Sequence, residues 1–177
     1  IGIFQDSLLG SYRFTRKNVD FSPREAMNLL MGIANINVKI FKKRNKRLTS
    51  FNLISEILPP MSAYFKNRNF GDNEKKKNSN NIIEIRNGKY IRGQMDKSTF
   101  GGSRGLIQSI FNDFGHKQSA QFIDELQSII TEYMKSSAYS VGISDLIANK
   151  KTNDSIIQAI LRKKADVKNL IHQIQIG

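Results

Sequence analysis

Apolar residues recur at two different periods along this chain, and the changes of period mark its elements. Ser22, Pro23 and Glu25 open the first clear helix. They supply a capping hydroxyl, a proline where no N–H is needed, and an acid in the first turn. Ala26, Leu29, Leu30 and Ile33 then follow at helical spacing, and Gly32 with Asn35 and Asn37 closes the segment. Thr49 or Ser50 caps a second helix through Leu53, Ile54 and Ile57. Pro59 and Pro60 end it, because proline lacks the N–H and restricts the residue before it. Residues 5–15 are short and interrupted by Gly10, and predict a helix of one or two turns or a turn. Val38 and Ile40 predict the opening of a short strand.

The period changes to two at Ile82, Ile83 and Ile85, which lead through Arg86-Asn87-Gly88-Lys89 into Tyr90, Ile91 and Met95. Asn-Gly between apolar runs predicts a hairpin over 82–97, because a type I′ turn needs positive φ at both central residues. The preceding stretch, 66–81 (KNRNFGDNEKKKNSNN), is almost free of apolar residues. Such a composition does not offset the entropy of ordering, and predicts a mobile surface loop. Helical spacing returns at 104–113 and is strongest at 117–136, where Phe122, Leu126, Ile129, Ile130 and Tyr133 share a stripe. Gly142 is a helix terminator by composition, and Asp145 starts a short turn. Residues 152–175 predict a long helix with Ile157, Ile160, Val167, Ile171 and Ile174 in a near-heptad seam that also holds Lys164. The fold class is therefore α+β: mostly helical, with a small antiparallel sheet around the hairpin, ending in a long helix that calls for an antiparallel or coiled-coil partner, as one arm of a helical hairpin would.

Composition narrows the chemistry. The 177 residues suit one domain, or one domain and part of a second. A chain of this size buries about two thirds of its unfolded surface and needs no staples. Cysteine is absent, so disulfides and thiolate metal sites are excluded. The two histidines, His116 and His172, lie far apart, which argues against a histidine zinc site and a Ser-His-Asp hydrolase. Both are expected at the surface. No apolar stretch approaches the ~20 residues of a membrane helix, and no signal-peptide pattern is visible. The chain opens on the apolar run Ile1-Gly2-Ile3-Phe4 rather than on Met, and its last helix lacks a partner segment. Both features read as those of a piece of a longer chain.

Charge is the loudest signal: 28 Lys and Arg stand against 15 Asp and Glu, a formal net charge of +13. Such a surface attracts polyanions by counterion release, nucleic acid first. Six of the ten residues 38–47 are basic: Lys39, Lys42, Lys43, Arg44, Lys46 and Arg47. They are candidates to face a phosphate backbone, although the run has one aromatic, Phe41, and no interleaved stacking platform. The plainer reading is a solvated face. Gly101-Gly102-Ser103-Arg104-Gly105 lies between strand and helix, where backbone N–H groups suit a phosphate. It lacks both the Gly-Lys-Ser/Thr ending of a P-loop and the GxGxxG spacing. The plainer reading is a tight turn capped by Ser103. Asp96 and Lys97 stand at the end of the second hairpin strand and predict a surface ion pair. Asp72 with Glu74 falls in the polar loop and Asp124 with Glu125 on an exposed helix face, so no carboxylate cluster, and no nucleophile with a base, is assembled.

Three segments carry a resemblance. Gly2-Ile3-Phe4-Gln5-Asp6-Ser7-Leu8-Leu9-Gly10 is similar to a G-[IV]-x-Q-D-[ST]-L-x-G segment. Gly93-Gln94-Met95-Asp96-Lys97-Ser98-Thr99, with glycines at 101, 102 and 105 and then Leu106-Ile107, resembles G-x-x-[ED]-K-x-x-x-G-x-x-x-G-[LIV]-[IV]. Tyr139 to Ile147 resembles G-[FY]-[ST]-x-G-[IL]-x-D-x-x. Together and in order, they resemble the largest subunit of multisubunit DNA-directed RNA polymerases. The stretch from Lys39 to Ser50 takes the place of a basic, proline-rich segment in that family, without its prolines.

The resemblance implies a location and a role. Residues 1–144 would form a pore-like domain under the active site, and 145–177 would begin the helical funnel. Nucleotides, backtracked RNA ends and a transcript-cleavage factor would use that pore. Lys97 would line it, with Asp96 and Arg104 nearby and the glycine loop 101–103 behind them. The family often has a second basic residue beside the lysine, where this chain has Ser98. The family's metal-binding Asn-Ala-Asp-Phe-Asp-Gly-Asp motif would lie upstream, so magnesium belongs to the parent enzyme and this piece alone is expected to be inactive. Partners would be the other polymerase subunits, the DNA template, the RNA transcript and the cleavage factor, with no membrane involved. The location would be intracellular: the nucleus, or host cytoplasm or virion for a viral source. The missing prolines and the Asn/Lys-rich loop suggest a divergent polymerase of the kind a large DNA virus carries. Two rivals stand beside this reading: a free-standing basic nucleic-acid-binding module, and a helical protein that dimerises through its last seam.

Overall fold

The longest helix of the larger unit, α5 (Leu106–Ser137), is the wall on which most of that unit is built. The computed structural model describes residues 2–41, 46–71, 73–101 and 104–176. The chain divides into two units, Ile1–Ala138 and Tyr139–Gly177. Leu106, Ile110, Phe122, Leu126, Ile129 and Ile130 of α5 are buried. Gly115 interrupts the helix with φ 83° and ψ 177°, so the two predicted helices are present as two arms of one element.

Helix α1 (Gln5–Phe14) packs on α5. It is ten residues long, more than the one or two turns expected, and Gly10 does not break it. A Cβ on Gly10 would lie 2.4 Å from Cγ2 of Ile130. The glycine that weakens a helix in isolation is therefore the point of closest approach between two helices. At the end of α1 the Phe14 ring stacks on Phe21 at 5.5 Å and meets Tyr133 of α5 edge-on at 5.0 Å.

Both predicted capping signals operate. Ser22 caps α2 (Pro23–Leu30) reciprocally with Glu25, the Ser22 N–H donating to the carboxylate at 2.7 Å. Thr49, rather than Ser50, caps α3 (Ser50–Ser55), with Asn52 as its partner. Between them, β1 (Asp20–Phe21) pairs antiparallel with β2 (Leu48–Thr49), a ladder the sequence pattern did not announce. The strand expected at Val38 and Ile40 is instead a 3₁₀ turn over Val38–Phe41. Asn37 is the cause: its side-chain oxygen accepts the Lys39 N–H at 3.1 Å and its carbonyl accepts that of Ile40.

The second sheet runs β3–β4–β5, all antiparallel, over Ala63–Lys66, Ile82–Arg86 and Lys89–Arg92. The turn is as expected, with Asn87 at φ 46° and Gly88 at φ 74°. The hairpin ends earlier than 97, however. Gly93 has φ 112°, and a Cβ there would lie 2.4 Å from the Ile83 Cα. Strand β3 is too short to announce itself by alternation, and exists through its pairing with β4. The polar stretch after it is tied at its ends by amides. Asn67, buried, donates to Asn81 Oδ1 at 3.1 Å and to the Gln94 carbonyl at 3.2 Å.

In the smaller unit Gly142 starts a helical turn, α6 (Ile143–Leu146), instead of ending a helix: its N–H donates to Asp145 at 2.8 Å. Asn149 caps α7 (Lys150–Ile176) through the Thr152 N–H at 2.8 Å. No residue of α7 is buried, and the predicted seam of Ile157, Ile160, Val167 and Ile171 stands exposed.

The two tight glycines make a stability prediction. Gly10→Ala is expected to cost about 1–3 kcal/mol, the usual penalty of an extra methyl in a packed core. Gly93→Ala is expected to cost more, because its neighbours are backbone atoms and its φ is positive. Urea midpoints of the two variants and the parent chain test this, and an unchanged midpoint for Gly93→Ala would refute it.

Candidate functional site

The segment that carries Lys97 is fixed from behind by α1. The Met95 N–H donates to Thr15 Oγ1 at 2.9 Å, and Gln94 Nε2 donates to the Tyr12 carbonyl at 3.0 Å. Asp96 follows as the N-cap of a short helix, α4 (Lys97–Phe100). One carboxylate oxygen accepts from the Ser98 hydroxyl at 2.6 Å, the Thr99 hydroxyl at 2.9 Å and the Thr99 N–H at 3.0 Å. The other accepts from the Arg68 N–H at 2.8 Å. Partial burial pushes the Asp96 carboxyl up, but these four donors outweigh it and hold the group below its ordinary value.

This geometry corrects the expectation of an ion pair on an edge strand. Asp96 is engaged as a cap, and Lys97 is an exposed residue in the first turn of α4, with no ion pair among the described residues. Ser98, which departs from the family pattern at a basic position, is thereby one of the donors that hold Asp96.

Lys97 lines a cleft of about 410 Å³ with Gly2, Ile3, Phe4, Gly101 and Ile107. Two of the three resembling segments, some ninety residues apart in sequence, thus share one cleft. Arg104 is exposed next to α5 and does not line it. Gly102 and Ser103 lie outside the described residues. The cap position of α5 is Gly105, not Ser103.

The basic run separates into different roles. Lys42, Lys43 and Arg44 lie outside the described residues. Arg47 is not a free cation: its Nε donates to Asp20 Oδ2 at 2.8 Å and its terminal nitrogen to the Asp20 carbonyl at 3.0 Å. This hydrogen bond and the Asp20 charge raise the guanidinium's pKa further. Arg47 clasps the β1–β2 ladder. Lys39 and Lys46 are exposed and line a second, larger groove of about 900 Å³, together with Lys89 of the hairpin. Lys89 was missed in the sequence because more than forty residues separate it from the other two, and only folding of the hairpin over α3 brings it there.

Among the described residues no three carboxylate or histidine side chains converge. His116 and His172 are exposed, as expected. Among the described residues no helix is long and apolar enough to cross a membrane.

The described residues thus form a helical wall and two small sheets, with exposed lysines at two grooves. The chain belongs to the family "RNA polymerase Rpb1, domain 3", whose model matches residues 1–146. Among the relatives it is similar to are DNA-directed RNA polymerase II subunits RPB1-A and RPB1-B of Trypanosoma brucei brucei. It is 28% identical to each over 173 residues, covering 96% of this chain and 10% of the relative. It is also similar to DNA-directed RNA polymerase subunit 1 of Acanthamoeba polyphaga mimivirus, 29% identical over 163 residues, which is 92% of this chain and 10% of that protein. The chain thus spans about a tenth of the length of the curated relatives it matches.

The Asp96 cap generates a pH prediction. Its folded value is lowered, so its contribution to stability is complete above the unfolded carboxylate range and is lost as pH falls through the folded value. Asp96→Ala is therefore expected to cost more at about pH 7 than at about pH 3. Urea midpoints at the two pH values measure this, and equal costs would show that the charge is not what the cap uses.

Proposed function

We propose that this chain is the pore region and the beginning of the funnel of the largest subunit of a DNA-directed RNA polymerase. Residues 1–144 supply the pore-like part, and 145–177 begin the funnel-like helices. The parent enzyme joins nucleotides on a DNA template, and this piece alone is inactive. Its own work is to give nucleotides access, to accommodate a backtracked RNA end and the cleavage factor that reaches it, and to contact other subunits. In the parent, magnesium supplies charge neutralisation for in-line transfer. The residues of this chain bind and steer instead. The setting is intracellular: the nucleus, or host cytoplasm or virion for a viral polymerase.

The observation that carries this reading is the shared cleft. The family match covers both segments that form it. Lys97, with no ion pair among the described residues, lines it together with Phe4, whose segment the resemblance places just after the catalytic centre. A lysine so placed attracts triphosphate and RNA as a point charge. The rival, a free-standing nucleic-acid-binding module, is not favoured. It rests on the basic segment 39–47, and Arg47 of that segment is held by Asp20.

Lys97→Ala in the whole enzyme tests the assignment. Loss of one exposed charge contact is expected to raise nucleotide KM about two- to fivefold and to slow cleavage of backtracked RNA, with Lys97→Arg retaining most of both. If both quantities stay unchanged in Lys97→Ala, the pore role of this lysine fails.

A further inference from the structure

Lys97 is the only cation that its own segment, residues 94–100, carries. The neighbouring position is Ser98, uncharged, whose hydroxyl is spent on Asp96 at 2.6 Å. A second cation is brought to the same place by a distant part of the chain. After β3, residues 67–70 form a turn, in which the Phe70 N–H donates to the Asn67 carbonyl at 3.2 Å and the Asn69 N–H to Asn67 Oδ1 at 3.0 Å. Asn67 is buried and tied in turn to Asn81 and to the Gln94 carbonyl. Arg68 is the exposed residue that follows it. Its backbone N–H donates to Asp96 Oδ2 at 2.8 Å, across 28 positions of sequence. The backbone of Arg68 is therefore in direct contact with the residue that precedes Lys97.

That contact leaves the guanidinium over. The arginines of the two sheets are each fixed on a carboxylate, Arg47 on Asp20 and both Arg86 and Arg92 on Glu84. The Arg68 side chain has no ion pair among the described residues, and only its backbone is used by Asp96. Asp96 does not cancel the two cations. It is one carboxylate against two positive groups, and both its oxygens are occupied by donors of this chain: the Arg68 N–H, the Ser98 hydroxyl, and the Thr99 hydroxyl and N–H. The local charge is positive, and the acid is turned to its own donors.

A guanidinium and an ammonium set on adjacent backbones suit a ligand with several phosphate oxygens. The arginine fork takes two oxygens in one plane, and the lysine adds a point charge. A lone lysine attracts such a ligand without orienting it.

We propose that Arg68 is a second phosphate-contacting residue, acting with Lys97 on the phosphates of a nucleotide or of an RNA end in the pore. The proposal rests on the reading of the Lys97 cleft given above. It adds a residue that lies outside all three resembling segments, in the polar stretch between β3 and β4.

Arg68→Ala and Lys97→Ala in the whole polymerase, singly and together, test it. Arg68→Ala is expected to raise nucleotide KM, to slow cleavage of backtracked RNA, or both, about two- to fivefold, with kcat at saturating nucleotide retained. A change in KM alone assigns the contact to the triphosphate, and a change in cleavage alone assigns it to RNA. Every substitution keeps the Arg68 N–H, so the Asp96 cap and the rate of thermal inactivation are expected to stay as in the parent. Arg68→Lys should retain part of the effect. Ser98→Lys in the Arg68→Ala background should recover it, because it puts a second cation on the Lys97 segment itself. If Lys97→Ala weakens either quantity and Arg68→Ala changes neither, this proposal is overturned while the reading of the cleft stands. If neither variant has an effect, both fail. A loss in Arg68→Ala that comes with faster thermal inactivation, and that Ser98→Lys does not recover, makes Arg68 a structural residue and overturns the proposal as well.

Discussion

Helix α1 packs on α5 with Gly10 directly against the Ile130 side chain, and the placement of the candidate site depends on that contact. Gly10 permits it, since any side chain there would collide with Ile130. The Phe14, Phe21 and Tyr133 rings lock the end of the helix pair. From there the order passes through hydrogen bonds. Thr15 and the Tyr12 carbonyl hold residues 94 and 95, Asp96 is set by Arg68, Ser98 and Thr99, and Lys97 is presented beside Phe4. A movement of α1 along α5 would be felt at Lys97 without any change in the lysine itself.

The positive charge of the chain is not one undivided surface. Around the two sheets, arginine and lysine do different work. Arg47 spans the first ladder to Asp20, and Arg86 and Arg92 both engage Glu84 at the bulge of the hairpin. The two guanidinium groups hold the Glu84 carboxyl below its ordinary value. The fork of an arginine suits such fixed contacts, whereas the compact ammonium of lysine suits a steering charge. Lys39, Lys46, Lys89 and Lys97 stay unpaired among the described residues and gather at the two grooves.

Local physics was legible where one short stretch carries the whole signal. The Ser22–Glu25 cap, the Asn87-Gly88 turn and the apolar stripe of Phe122, Leu126, Ile129 and Ile130 need no distant residue to be recognised. The family segments belong to the same class, because order and spacing are properties of the chain itself. Where local signals compete the outcome was less legible. Val38 and Ile40 alternate like a strand, yet the Asn37 side chain captures the backbone into a 3₁₀ turn.

The amino-acid sequence by itself determined the fold class, the caps, the hairpin turn, the excess of positive charge and the family. Each follows from propensity, periodicity or motif, which act over a few residues at a time. Only the tertiary structure decided that Gly10 is a contact rather than a break, that Asp96 caps instead of pairing with Lys97, and that Arg47 is a clasp. It also brought Lys89 to Lys39 and Lys46, and Lys97 to Phe4. These outcomes depend on which backbones approach and which donors lie across a gap of tens of residues. Such approaches are set by how whole elements pack, and no local pattern encodes them.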